Sequence, residues 1–523
     1  MITTVKKSLP LVALWLAMGS GAQLFGAFGT RVDLPGAFGV CHYVATADLD
    51  KDGLVDAVAT DDSNGVLMWI RQTSPGTFTP TVIDNTLGGQ AAEVSIADMN
   101  GDCNLDIVVN AGGALTWYQS SGGTSPTFTK VVLSSLSVQG CVNENHTVVD
   151  IDGDGDLDIV VSFLSAPPCP GLGGLWLFSN DGVGGFTPSY LGNFGIAGTF
   201  GAADFDHDGD IDLAATGFSD AYWIENTGTP TSPAFTTIHY LKTGNFYGVR
   251  VKDLDRDCNA DILLNTVDDG SGNGELRWFQ NNGSALFTES LLASGPDMRF
   301  WNNIVVKDFN GDGHLDIVGG GTGGASSGFT LPRSDVIFLQ NNGSQVFTKF
   351  TIDTLYDSES FAVADLNADC KPDVLAAGFS QNAVSYWFNT FNFGCLCPAG
   401  GGYWKKHLCL WPESSLTLGK KTYTQAELVA ILSKPPGNDA SLQLARELIA
   451  AKLSIASGSD PAPIGGTMAS GTIPSADSLL CTFSGKLPYN VSTSSSVGGQ
   501  MTSLKNTLAN YNSGALTLNC VPR

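Results

Sequence analysis

The chain has 523 residues, and 43% of them are apolar, which suits a packed core and excludes a disordered acidic polymer. Charged residues make up only 15%, yet 51 Asp and Glu face 26 Lys and Arg, a formal charge of −25. That balance excludes nucleic acid as a partner, since phosphate recognition needs Lys and Arg stripes, and it implies that the acids are concentrated somewhere.

In chain order, Lys6 and Lys7 precede an apolar run over residues 9–18, broken only by Pro10, and the small residues Ser20-Gly21-Ala22 follow. This predicts a cleaved export signal over residues 1–22, the run being too short to span about 30 Å of hydrocarbon. No later segment reaches 18 apolar residues, so no transmembrane segment is expected. The mature chain is expected to be secreted, at the cell surface or periplasmic. Its 11 cysteines are then disulfide candidates, and the odd number leaves at least one over.

Residues 28–34, FGTRVDL, align with FTPTVID further on. Then a pattern recurs seven times at intervals of 49 to 57 residues: ADLDKDGLVDAV, ADMNGDCNLDIV, VDIDGDGDLDIV, ADFDHDGDIDLA, KDLDRDCNADIL, KDFNGDGHLDIV and ADLNADCKPDVL. Between copies the chain alternates apolar and polar residues at period two with Gly-rich punctuation, giving four short strands per repeat. Strands this short are stable when stacked radially, so the expected fold is an all-β seven-bladed β-propeller over residues 23–394. The seventh repeat lacks a fourth strand, and residues 28–34 are expected to supply it and close the ring.

Each acidic loop places oxygen side chains at positions one, three, five and nine. They are Asp48, Asp50, Asp52 and Asp56; Asp98, Asn100, Asp102 and Asp106; Asp150, Asp152, Asp154 and Asp158; and Asp204, Asp206, Asp208 and Asp212. The remaining loops supply Asp253, Asp255, Asp257 and Asp261; Asp308, Asn310, Asp312 and Asp316; and Asp365, Asn367, Asp369 and Asp373. Carboxylates this close need a cation between them. Oxygen-only ligands on a tight loop suit Ca2+ better than Mg2+, with up to seven ions. The ninth-position Asp is expected to ligate through both oxygens, and a carbonyl near position seven to add another.

At these residues the chain resembles the FG-GAP/VCBS repeats of integrin α-subunit propellers and many exported bacterial proteins, over roughly residues 28–392. The resemblance implies ions bound between the first and second strands of each blade. One departure stands out. Gly53, Gly155, Gly209 and Gly313 follow the third ligand as in the family, but Cys103, Cys258 and Cys370 replace Gly in the other loops. A left-handed backbone costs a non-Gly residue about 1–2 kcal/mol, so these three loops are expected to bind less tightly or to relax their geometry.

Propeller geometry puts Cys141 and Cys169 on the face opposite the ions, as the best disulfide pair, and Cys370 and Cys395 together on the ion face. From Cys395 the pattern changes to a smaller, mainly α-helical module, residues 395–523. Thr424 and Glu427 form a predicted capping box. A second helix is expected over residues 438–458, ended by Gly458, and a third over residues 500–511. Cys397, Cys409, Cys481 and Cys520 are expected to form two staples within it. GGYWKKHLCLWP resembles the Gly-Tyr-Trp-Lys-Asn-His opening of a module at the ends of exported bacterial proteins, with Lys406 in place of Asn.

The six His (His42, His146, His207, His239, His314 and His407) show no metal spacing, and no nucleophile elbow or phosphate loop occurs. Trp69, Trp117, Trp176, Trp223, Trp278, Phe338 and Trp387 recur once per blade and are expected in the inter-blade core. Phe246, Tyr247, Phe300 and Trp301, with Arg250 and Arg299 nearby, are a candidate ligand-binding patch on the face opposite the ions. The function expected is that of an exported calcium-stabilised binding or adhesion module for an extracellular protein or glycan. A polysaccharide-active lyase or hydrolase on the same scaffold is the alternative, and a structural surface-layer component a third reading.

Overall fold

The computed structural model describes residues 27–36, 38–88, 91–135, 143–163, 174–217, 219–229, 232–266, 273–298, 304–321, 335–354, 358–378, 381–461, 471–517 and 520–523. The expected export signal therefore lies outside the described residues.

Seven four-stranded antiparallel sheets follow one another in sequence. Blade one runs through Cys41–Ala47, Asp56–Asp61, Val66–Ser74 and Thr77–Asp84, and the other blades repeat this order. The second strand is buried along its whole length in every blade, because neighbouring blades cover both of its faces. That is why these strands read as apolar runs such as DIVV rather than as alternating ones. The fourth strand forms the rim and is largely exposed, as in Thr77–Asp84.

The ring closes as expected. Val32–Asp33 pairs antiparallel with Ala383–Trp387, Val32 opposite Tyr386 and Asp33 opposite Ser385. Gly29 N donates to Phe388 O at 2.8 Å and Leu34 N to Val384 O at 2.7 Å, extending the pairing past both ends of the strand. Leu34, Cys41, Met68, Ile70, Leu375 and Tyr386 then form one core between blades one and seven.

The recurring aromatics are core, with one correction to their placement. Trp69, Trp117, Trp223, Trp278 and Phe338 stand one residue before the partner of the ninth-position Asp's successor and face the following blade. Trp176 and Trp387 are each displaced by one residue, so Leu177 and Tyr386 take that position and the two Trp face the preceding blade. A single step along a strand reverses the face.

The C-terminal region contains, among the described residues, a hairpin (Ser415–Leu418 and Lys421–Thr424) and helices α1 (Gly401–Trp404), α2 (Gln425–Ser433), α3 (Ala440–Ala456), α4 (Thr472–Leu480) and α5 (Ser496–Asn512). The capping box at α2 forms, with Thr424 N donating to Glu427 Oε2 at 2.9 Å. α5 begins four residues before the expected start, where Ser495 Oγ accepts from Gly498 N. α4 was not expected. It carries Pro474 in its first turn, where a missing N–H costs nothing. Trp404, Leu448, Ile449, Leu508 and Tyr511 centre the core of this region.

This region sits on the ion-loop face, which overturns the expectation of two internal staples. Cys397–Cys520 is internal, but Cys481 pairs with Cys103 and Cys409 with Cys258, while Cys370–Cys395 forms as expected. Sequence spacing carries no information about which surface a folded region covers, and here that surface holds the partner thiols. Cys141 and Cys169 lie outside the described residues, and Cys41 is a buried free thiol. Polar contacts add to the docking. Thr422 N donates to Gly155 O at 2.9 Å, and Lys421 Nζ meets Asp156 Oδ2 at 2.5 Å. At the inner-strand position where the other blades carry Ala or Val, blades five and six carry Lys252 and Lys307. They donate to Pro412 O at 2.9 Å and Ala456 O at 3.0 Å. The second is the last carbonyl turn of α3, where a cation also meets the negative end of the helix dipole.

Deletion of residues 27–34 should bare the edge of blade seven and expose the core around Tyr386. The expected outcome is aggregation and a lowered melting temperature, read by size-exclusion chromatography and thermal melting.

Candidate metal centres

All seven acidic loops share one backbone path. Position four has a positive φ in each, from 59° at Lys51 to 74° at Gly311, and so does position six, from 66° at Cys103 to 99° at Gly209. The three Cys loops are not relaxed. Cys103, Cys258 and Cys370 keep the left-handed backbone (66°, 75° and 66°). Each donates its N–H to the first Asp of its loop at 2.7, 2.9 and 2.7 Å, as Gly53, Gly155, Gly209 and Gly313 do at 2.9 to 3.1 Å. At those three positions the residue that departs from Gly is the one that staples the C-terminal region to the ring.

The ninth-position Asp pins each loop to its blade. Its Oδ2 accepts the N–H of position two, at 2.8 to 3.3 Å in all seven loops. Its Oδ1 accepts an N–H from the end of the third strand, from Gln72, Ser120, Asn180, Asn226, Asn281, Asn341 or Asn389, at 2.7 to 2.8 Å. Those third-strand residues escaped the sequence reading, although the recurring FSN, IEN, FQN and LQN were the available signal. Several also clasp the neighbouring blade. The side-chain amides of Gln72, Asn180, Asn281 and Asn389 donate to the carbonyls of Leu366, Met99, Phe205 and Phe309, each at position two of the preceding loop, at 2.6 to 2.8 Å.

Carboxylate oxygens from positions one, three and nine converge. Asp48, Asp50 and Asp56; Asp150, Asp152 and Asp158; Asp204, Asp206 and Asp212; and Asp253, Asp255 and Asp261 each bring one oxygen apiece within 4.8 Å of one another. The position-five carboxylates stand outside these triads and accept the position-seven N–H instead, as Asp154 does from Asp156 at 2.8 Å. Asp50 Oδ2, Asp150 Oδ1, Asp204 Oδ1 and Asp255 Oδ1 are buried without a hydrogen-bond partner, Asp50 Oδ2 meeting the Arg71 guanidinium as an ion pair only. Burial first, and neighbouring carboxylates next, push these groups far above the usual carboxylate range, which backbone N–H donors only partly oppose. Asp56, Asp106, Asp158, Asp212, Asp261 and Asp373 rise to about 7, Asp316 to about 8, and Asp48, Asp98, Asp150 and Asp253 to about 6. Converging hard oxygens, some of them orphaned, fit a hard cation.

Of the expected aromatic patch, only Phe246 has its side chain among the described residues. Phe246 is 3% exposed and packs with Trp223, Val249 and Phe279 between blades four and five, so it is core. The side chain of Tyr247, and Arg299, Phe300 and Trp301, lie outside the described residues. Arg250 is half-buried on the first strand of blade five, where its Nε donates to Ile304 O at 3.1 Å and its charge faces Glu93, a carboxyl that burial raises to about 7. A cavity of about 890 Å3 lies between the ion face and the C-terminal region, lined among others by Lys252, Arg256, Lys307, Trp411 and Arg523.

Comparison with known proteins finds FG-GAP-like repeats in this chain, at residues 48–109, 98–161, 204–264 and 253–319. No curated protein matches it. Among solved structures, an Agrocybe aegerita lectin that recognises non-reducing terminal N-acetylglucosamine is similar at 17% identity, covering 60% of this chain and 80% of that one, with a TM-score of 0.43. BBS1N, solved in complex with ARL6DN, is similar at 14% identity over 71% and 99% of the two chains, with a TM-score of 0.46. A streptogramin B lyase is similar at 11% identity over 69% and 98%, with a TM-score of 0.43. At these values none of the likenesses bears on function.

Two outcomes follow from the loop network. Asn281→Ala leaves two carbonyls, those of Phe205 and Ala260, without their donor. It should cost about 1–3 kcal/mol of stability in urea melts, and added calcium should not restore it. The raised carboxyls hold protons in the folded chain that the unfolded chain releases above about pH 4. In EDTA, stability should therefore be greatest near pH 4, fall as pH rises from there, and level off once pH has passed about 6 to 8. Saturating calcium should abolish that fall in thermal melts at pH 5 to 8.

Proposed function

We propose that this chain is an exported, calcium-stabilised β-propeller that acts as a binding module for a protein or glycan at or outside the cell surface. The observation that carries this reading is the placement of the acidic loops as a ring on one face, roofed by a region stapled to three of them. That face is committed to scaffolding, which leaves the opposite face, with its blade-to-blade connections, for a partner. Four disulfides among the described residues suit an oxidising compartment. Converging carboxylates that repel one another when empty give calcium a folding role, because bound Ca2+ supplies positive charge where the chain has concentrated its negative charge.

Chelation with EDTA should lower the melting temperature by many degrees, calcium should restore it, and magnesium should restore little. An unchanged melting curve would overturn the calcium assignment. A glycan array and capture of extracellular proteins test the binding role. Reducing-sugar and unsaturated-product assays on the same glycans test the alternative, a polysaccharide lyase or hydrolase, and turnover there would replace the binding reading.

A further inference from the structure

Loop one differs from the other six in a way that its four aspartates conceal. Arg71, on the third strand of blade one, brings Nη2 to 2.5 Å from Asp50 Oδ2 and 3.3 Å from Asp52 Oδ2, the carboxylates at positions three and five. Asp50 is wholly buried and the Arg71 side chain is 32% exposed. The guanidinium carbon also lies 6.0 Å from the Trp69 ring centre, which holds the side chain along its strand.

The same strand position, immediately before the residue that donates to the ninth Asp, holds Gln119, Ser179, Glu225, Gln280, Gln340 and Phe388 in blades two to seven. None is a cation. In blade five, Gln280 Nε2 reaches Asp255 Oδ2 at 2.5 Å, so a side chain at this position can meet the carboxylate at position three. Only blade one sends a permanent charge there, because a guanidinium does not titrate in the range where proteins fold.

A divalent ion in loop one needs the Asp50 carboxylate that Arg71 occupies. It must either expel the guanidinium into solvent or share Asp50 with a like charge. Loop one therefore has its countercharge without metal, whereas among the described residues no cation is ion-paired with the position-three carboxylate of the triads at Asp150, Asp204 and Asp253, although in loop three Lys421 and Lys486 act on Asp152 and Asp150 from beyond ion-pair distance. Resting on the calcium reading above, we infer that Arg71 is the built-in cation of loop one, and that this loop takes no calcium under conditions that fill the others. The placement has a structural logic. Gln72, the next residue, donates to Leu366 O at 2.6 Å, and Gly76 N donates to the same carbonyl at 2.9 Å. Loop one belongs to the seam where blade one meets blade seven, and its geometry is then set independently of ion supply.

Native mass spectrometry and equilibrium dialysis with radioactive calcium count ions per chain. The Arg71→Gln variant, which installs the residue of blades two, five and six, should bind one ion more than the wild-type chain. Asp50→Asn in the wild-type background should leave the count unchanged, while Asp152→Asn in loop three should lower it by one. Equal counts in wild type and Arg71→Gln, or loss of an ion in Asp50→Asn, would overturn the inference. Should Arg71→Gln fail to fold, the contrast between Asp50→Asn and Asp152→Asn decides it alone. No bound calcium in any variant would overturn the calcium reading itself, a result distinct from equal non-zero counts.

Discussion

The two hydrogen bonds accepted by each ninth-position aspartate are the interaction on which the rest of the molecule depends. One joins the loop's second residue and the other joins the end of the third strand, so a single buried carboxylate fixes loop, second strand and third strand together. Because position two is also a buried apolar side chain (Leu49, Met99, Ile151, Phe205, Leu254, Phe309 or Leu366), the same bond seats a wedge in the core. Burial makes the carboxylate costly as a charge and valuable as an acceptor. The loops thus carry an electrostatic load that the blade architecture itself requires, and a cation at the triads relieves it.

The repeated pattern made most of this legible before any coordinates. Asp at four fixed positions, apolar second strands and a missing final strand were enough to give seven blades and their closure, because each feature answers a local physical demand. The placement of the aromatics was legible only in part. Trp176 and Trp387 look equivalent to Trp69 in the sequence, yet a one-residue shift sends them to the preceding blade. Register depends on partners that the sequence does not show. Phe246 likewise looked like a surface aromatic because it precedes a strand, whereas it fills the space beside Trp223.

The docking of the C-terminal region was the least legible feature, and the reason is physical. Nothing local requires Cys103, Cys258 or Cys370 to pair with any given cysteine. Their one local signal was the misfit of Cys at a left-handed position that four sister loops fill with Gly. Read as a weakness, that misfit suggested slack loops. The geometry shows strained residues held by a covalent bond to the region above, together with Lys252 and Lys307 in place of Ala or Val on two inner strands. The departures from the repeat thus mark where the repeat is used.

Closure of the ring follows the same logic. The closing strand is two residues long, too short to hold a seam by its own ladder. The seam is carried instead by the shared core around Tyr386, by Gln72 and Gly76 on Leu366 O, and by Val44 N on Ser360 Oγ at 2.9 Å. Cys370–Cys395 then ties the last blade to the region that roofs the ring. A ring is as stable as its weakest joint, and this one concentrates side-chain contacts, a disulfide and a resident guanidinium where its first and last blades meet. The repeats supply the wall, and their exceptions supply the closure.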